Sequence, residues 1–107
     1  MKQIVTGEGF QNLLQQENEF ILLKHSLTCP ISASAKTEVE GFEQSTDLGV
    51  YLIPIQEARD VSQLVAEQLE ISHESPQAFH IKGAEVKWHA SHFDITRANL
   101  SQAVSEQ

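Results

Sequence analysis

The sequence predicts an α/β fold, a central mixed β-sheet flanked by helices, in a single domain spanning residues 1–107. Three observations predict it. Strand-like apolar runs alternate with stretches of helical apolar spacing, which implies parallel strands joined by crossover helices. The last two strand-like runs are separated only by Gly83-Ala84, and such a hairpin makes the sheet mixed. The composition, 40% apolar and 21% charged, is that of a chain able to bury a core of this size.

The elements follow in order. Ile4-Val5 reads as a short edge strand before the turn-like Thr6-Gly7-Glu8-Gly9. Phe10, Leu13 and Leu14 have i, i+3, i+4 spacing, predicting a short amphipathic helix over about 8–17. Glu19 to His25 reads as a strand, and the unbroken apolar Phe20-Ile21-Leu22-Leu23 suits one covered on both faces. A helix of about 14 residues follows Cys29, with Ile31, Ala35, Val39 and Phe42 on its buried face and Ala33 and Ala35 allowing close packing. Val50 to Ile55 is the next strand, with Pro54 at its end. Residues 60–70 form a helix striped by Val61, Leu64, Val65 and Leu69, with Asp60 and Gln63 as a capping-box-like start. In the hairpin a two-residue Gly-X turn pairs Phe79 with Trp88 and Ile81 with Val86, leaving His80, Lys82, Glu85, Lys87 and His89 on the other face. Ser91-His92-Phe93-Asp94 leads into a last helix carrying Ile95, Ala98, Ala103 and Val104, whose end at 105–107 is expected to fray.

The formal charge of −8 argues against a general nucleic-acid binder, which needs a basic patch. No apolar run approaches the ~20 residues that span a bilayer. One cysteine permits no disulfide within the chain. Together with an N-terminus lacking a signal-peptide pattern, this leads us to expect a cytoplasmic protein.

That cysteine sits in Thr28-Cys29-Pro30-Ile31-Ser32, between a strand and a helix. A helix start carries unpaired N–H groups and partial positive charge, so a thiolate there is stabilised and becomes a usable nucleophile. Pro30 suits the first helical turn because its missing N–H is not needed there. In so acidic a chain, support for the anion has to come mainly from the helix end and nearby donors. Ser32 can offer its hydroxyl or N–H.

The element order is that of the thioredoxin fold, with Cys29 opening a helix and Pro76 preceding the hairpin. The segments Thr28 to Ser32, His73-Glu74-Ser75-Pro76-Gln77 and Trp88 to Thr96 together resemble the YtxJ family of bacillithiol-system proteins, the monothiol bacilliredoxins. The resemblance covers almost the whole chain. It implies a thioredoxin-like fold with a cis Ser75-Pro76 bond beside the active cysteine. It implies a monothiol thiol–disulfide oxidoreductase that removes bacillithiol, a thiol built from cysteine, glucosamine and malate, from protein mixed disulfides. Cys29 is then the nucleophile. Ser32 occupies the position of the second cysteine of a dithiol C-x-x-C and cannot resolve the bond, so an external thiol or a recycling reductase does. Ser75, Pro76, Ser91 and His92 are the implied substrate-binding residues, with the malate carboxylates near the start of the last helix. Bacillithiol is the co-substrate and bacillithiolated proteins are the partners. No metal, nucleotide, nucleic acid or membrane is expected.

Other readings compete at each position. Cys29 can be an inert buried cysteine, and the chain a thioredoxin-like adaptor or a thiol-acceptor stress protein that passes nothing on. His73 reads as a solvated loop residue, and Ser91 or Asp94 as a helix cap. Lys24 and Lys36 are by default exposed. His80, His89 and His92 lack the ligand set of a structural zinc site.

Overall fold

The computed structural model describes residues 1–106. In chain order the strands are β1 Lys2–Gln3, β2 Glu19–His25, β3 Gly49–Pro54, β4 Gln77–Lys82 and β5 Glu85–Ser91. The helices are α1 Gly7–Gln16, α2 Pro30–Glu43, α3 Arg59–Leu69 and α4 Arg97–Ser105, with a 3-10 turn at His92–Asp94. The strands line up as β1-β3-β2-β4-β5. β1 and β2 pair parallel to β3, while β2–β4 and β4–β5 are antiparallel. This is the expected mixed sheet.

β2 lies inside the sheet and is buried along nearly its whole length. Its alternating side chains therefore enter two cores. Phe20 and Leu22 join Phe10 and Leu13 of α1 and Val61 and Val65 of α3. Ile21 and Leu23 join Ala35, Val39 and Phe42 of α2 and Leu100 of α4. A continuous apolar run is the sequence record of that two-sided burial. Truncating any of the leucine, isoleucine or phenylalanine side chains among them to alanine costs about 2–5 kcal/mol.

Several expectations need correction. The edge strand is Lys2–Gln3 rather than Ile4-Val5, although the Ile4 N–H still donates to the Leu52 carbonyl at 2.9 Å. The start of α3 has no capping box: its cap position is Ala58, with no side-chain bond. On α2 the small polar Ser32 is fully buried, whereas Ile31 is half-buried and Ala33 is exposed. The cap of α4 is Thr96, whose hydroxyl accepts from Asn99 N–H at 3.0 Å, not Ser91 or Asp94. At the end expected to fray, the Glu106 N–H donates to the Gln102 carbonyl at 3.1 Å. Gln107 lies outside the described residues.

The hairpin register is right only next to the turn. Ile81 faces Val86, but His80 faces Trp88 and Phe79 faces His89. A bulge inserts Lys87 without a partner, and one extra residue sends every later side chain to the opposite face. Trp88 thus packs in the α2/α4 core, and His89 lies beside Phe79. Gly83 and Ala84 both have positive φ, at 60° and 64°, so the turn is left-handed at both positions rather than only at glycine.

Candidate active site

The sheet register brings the loops together. Lys24 at the end of β2 pairs with Gln77 at the start of β4. The segment leading to Cys29 and the segment containing Pro76 therefore leave adjacent strands at the same end of the sheet. The Ser75-Pro76 bond is cis. His92 N–H donates to the Pro76 carbonyl at 3.0 Å, so the 3-10 turn joins the same corner. That turn also packs against α2. Ile55, just after β3, donates to the His25 carbonyl at 3.0 Å and adds a fourth segment.

Cys29 is the N-cap residue of α2, with Pro30 in the first turn. Its carbonyl accepts from Ala33 N–H at 3.2 Å, which fixes the helix entry. The thiol is partly accessible. It is held below its ordinary pKa by the Ser32 backbone N–H first, then by the Ile31 N–H, and last by the Ser32 hydroxyl, with slight burial opposing. No charged group contributes, as the acidic composition leads one to expect.

Ser32 Oγ also accepts from the Ser26 N–H at 3.2 Å. Ser26 in turn is held by Gln56, whose amide Nε2 donates to Ser26 Oγ at 2.8 Å and to Thr28 Oγ1 at 3.4 Å. Gln56 Oε1 accepts from Leu27 N–H at 2.9 Å. One glutamine thus holds the three residues before Cys29. Sequence reasoning missed it, because nothing around Gln56 marks a long-range bond.

The other side of the corner is held by Gln77, which is buried. Its Nε2 donates to the Ser72 carbonyl at 3.1 Å, and its Oε1 accepts from Glu74 N–H at 3.2 Å. The Ser75 hydroxyl is buried without a hydrogen-bond partner. His92 has positive φ, and its ring lies 3.8 Å from the Glu74 carboxylate. Ser91 ends β5 opposite Gln77. The expected residues Ser75, Pro76, Ser91 and His92 therefore share one corner. The start of α4 does not belong to it as an open anion site, since Glu38 of α2 accepts from the Arg97 N–H at 2.9 Å and fills that helix end.

One side chain departs from its default reading, and it meets a second. Lys24 is fully buried, with its ammonium 3.2 Å from His73 Nδ1 and 5.9 Å from the Phe79 ring centroid. Burial pushes its pKa down from 10.5 to about 8. His73 is an exposed loop residue, as read from the sequence, yet its Nδ1 also lies 3.2 Å from Ser62 Oγ. Burial first, and Lys24 second, hold its pKa below the usual histidine value, with Glu74 opposing. Among the described residues no three His, Cys, Asp or Glu side chains gather as metal ligands. Among those residues no helix is long and apolar enough to cross a membrane.

Comparison with solved structures agrees with this architecture. A protein described as a candidate oxidoreductase with a thioredoxin fold is 34% identical, covers 96% of this chain and 92% of its own, and superposes with a TM-score of 0.92. Mitochondrial thioredoxin 3 from Saccharomyces cerevisiae, in its oxidized form, is 13% identical over all of this chain and 95% of its own, with a TM-score of 0.80. Fasciola hepatica thioredoxin is 11% identical over 99% of this chain and 98% of its own, at 0.78. The latter two show the fold alone. The family model "Monothiol bacilliredoxin BrxC" matches residues 2–100. With a cysteine at the exposed start of α2, a cis-proline at the same end of the sheet and serine in place of a second cysteine, the chain belongs to the monothiol bacilliredoxin family and has a thiol redox role on a thioredoxin fold.

Proposed function

We propose that this protein is a cytoplasmic monothiol oxidoreductase that removes bacillithiol from protein mixed disulfides, with Cys29 as nucleophile. The observation that carries the reading is Cys29 at the N-cap of α2, partly accessible, at the end of the sheet that also holds the cis Ser75-Pro76 bond. The Ser32 and Ile31 N–H groups and the Ser32 hydroxyl favour the thiolate, and the sulfur stays accessible. A lone cysteine in a chain of this length supports a reducing compartment.

The Cys29 thiolate attacks the bacillithiol sulfur of the mixed disulfide. The Cys29–bacillithiol S–S bond forms, the protein–bacillithiol S–S bond breaks, and the protein sulfur leaves as a thiolate. The Ser32 and Ile31 N–H groups hold the attacking charge beforehand. Ser32 carries no sulfur, so the new bond survives until an external thiol or a recycling reductase attacks it. Where a second bacillithiol thiolate does so, the step yields oxidised bacillithiol and returns the Cys29 thiolate. Thr28, fastened by Gln56, and Pro30, at the first helical turn, set where the sulfur sits. Ser75, Pro76, Ser91 and His92 form the facing wall against which the disulfide is held.

The test compares one peptide carrying either bacillithiol or glutathione in the same mixed disulfide. Faster release from the bacillithiol form, in repeated turnovers with bacillithiol present, is expected. Equal rates remove the co-substrate assignment. Labelling of Cys29 without turnover removes the catalytic one.

A further inference from the structure

A groove of about 820 Å³ runs along α3, away from the Cys29 corner. Its near end is Gln56, the residue that holds Ser26, Leu27 and Thr28. Its walls include Arg59, Ser62 and Gln63 on α3 and His73 on the segment leading to Ser75-Pro76. The groove therefore touches both halves of the corner. Small-molecule sites span roughly 300–1,000 Å³, and this one falls inside that range.

Arg59 is the one Lys or Arg that lines the groove, in a chain that is strongly acidic. The protein has seven Lys and Arg residues and a net charge of −8. Among the described residues, neither Arg59 nor Lys24 makes an ion pair with a carboxylate. Lys24 is buried and does not itself line the groove; its ammonium lies 3.2 Å from Nδ1 of His73, a lining residue. An ammonium can only donate, so His73 Nδ1 accepts and the ring proton lies on Nε2, free to donate. A buried cation without a counter-charge is costly and calls for negative charge nearby. Asp60 neighbours Arg59 in the first turn of α3, Glu74 follows His73, and Glu67 and Glu70 line the far end of the groove. With Arg59 as its one lining cation, the near half, between Arg59 and His73, suits an anion better than the far end.

We propose that this near half is the anion subsite for the co-substrate: the carboxylates of a malate-bearing thiol lie between the Arg59 guanidinium and the His73 ring while its sulfur reaches Cys29. The proposal rests on the bacillithiol reading above. It moves the carboxylates away from the last helix, whose start Glu38 already fills.

The experiment uses the full chain carrying Cys29→Ser, so that binding is read without turnover. Reduced bacillithiol and its malate-free analogue, cysteinyl-glucosamine, are titrated while backbone amide resonances are followed. Bacillithiol is expected to shift Gln56, Arg59, Ser62 and His73, and to bind about tenfold more tightly than the analogue, a difference of one charge-assisted hydrogen-bond pair. Adding Arg59→Gln is expected to abolish that difference, and Arg59→Lys to restore part of it. Shifts confined to residues 91–94, or a malate preference that survives Arg59→Gln, overturn the subsite. If bacillithiol binds the groove but the wild-type protein never releases it from a mixed disulfide, the catalytic reading fails and the subsite stands. If release occurs with the groove silent, the reverse holds.

Discussion

Ser32 Oγ lies 3.2 Å from the Ser26 backbone nitrogen. The bond ties the residue three places after Cys29 to the residue three places before it. The cysteine is thereby held at the apex of a closed loop, and Ser32 is first among the groups that hold its thiol below the ordinary pKa. The residue that removes a second thiol from this protein is also the one that orients the first.

The support for the thiolate has an internal order, and Ser32→Ala tests it. The backbone N–H of Ser32 ranks first and its hydroxyl last. Losing the hydroxyl is therefore expected to raise the Cys29 pKa while leaving it below that of a free thiol, about 8.5. Alkylation rate against pH gives the midpoint. A midpoint at or above the free-thiol value contradicts the ranking.

Restoring a thiol at position 32 changes the chemistry rather than the fold. Ser32→Cys is expected to release bacillithiol from Cys29 without a second bacillithiol, forming a disulfide between positions 29 and 32. Single-turnover mass spectrometry without added thiol reads this directly. A stable Cys29–bacillithiol adduct in the variant contradicts the placement of Ser32 beside the sulfur.

Gln56 is a positioning residue, acting through the backbone before Cys29. Gln56→Ala removes its bonds to Ser26, Leu27 and Thr28. The rate of mixed-disulfide formation is expected to fall severalfold. Stability should drop by only about 1 kcal/mol, and the thiol pKa should change little. Stopped-flow exchange and urea unfolding separate these effects. A large loss of stability with unchanged exchange assigns Gln56 to the scaffold alone.

Much of this was legible in the sequence because burial and period leave plain marks. Phe20 to Leu23 announced a strand covered on both faces, and Cys29-Pro30 announced a helix start. Harder features depend on contacts between distant segments. Thr96 and Ser91 are equally good caps on paper, and only the 3-10 turn at His92–Asp94 decides between them. The Lys87 bulge follows no local pattern, so Trp88 was assigned to the wrong face. Gln56 and Gln77 look like ordinary polar residues, yet they hold the two halves of the corner. Lys24 was read as exposed because lysine usually is. Its place in β2, after residues whose side chains alternate between two cores, was the available signal.

The buried Lys24 carries a pH signature. Its pKa is pushed down from 10.5 to about 8 in the folded protein. Between those values the unfolded chain keeps a proton that the folded chain has shed, so stability rises with pH across that window. Below about 8 both states are charged, and folding bears the desolvation in full. Lys24→Met is therefore expected to stabilise the protein by about 1–3 kcal/mol near neutral pH. The advantage should shrink as pH climbs from about 8 toward 10.5. Urea midpoints across that range provide the check, and an advantage that grows with pH contradicts the buried ammonium.

The central claim is that Cys29 itself takes the bacillithiol group, and its most direct test is transfer followed by intact mass. The protein is mixed with one equivalent of a bacillithiolated protein in the absence of free thiol. Wild-type protein is expected to gain the bacillithiol mass as the partner loses it, in equal amounts, while Cys29→Ser gains nothing and frees nothing. Release of the partner thiol by Cys29→Ser at the wild-type rate contradicts the account.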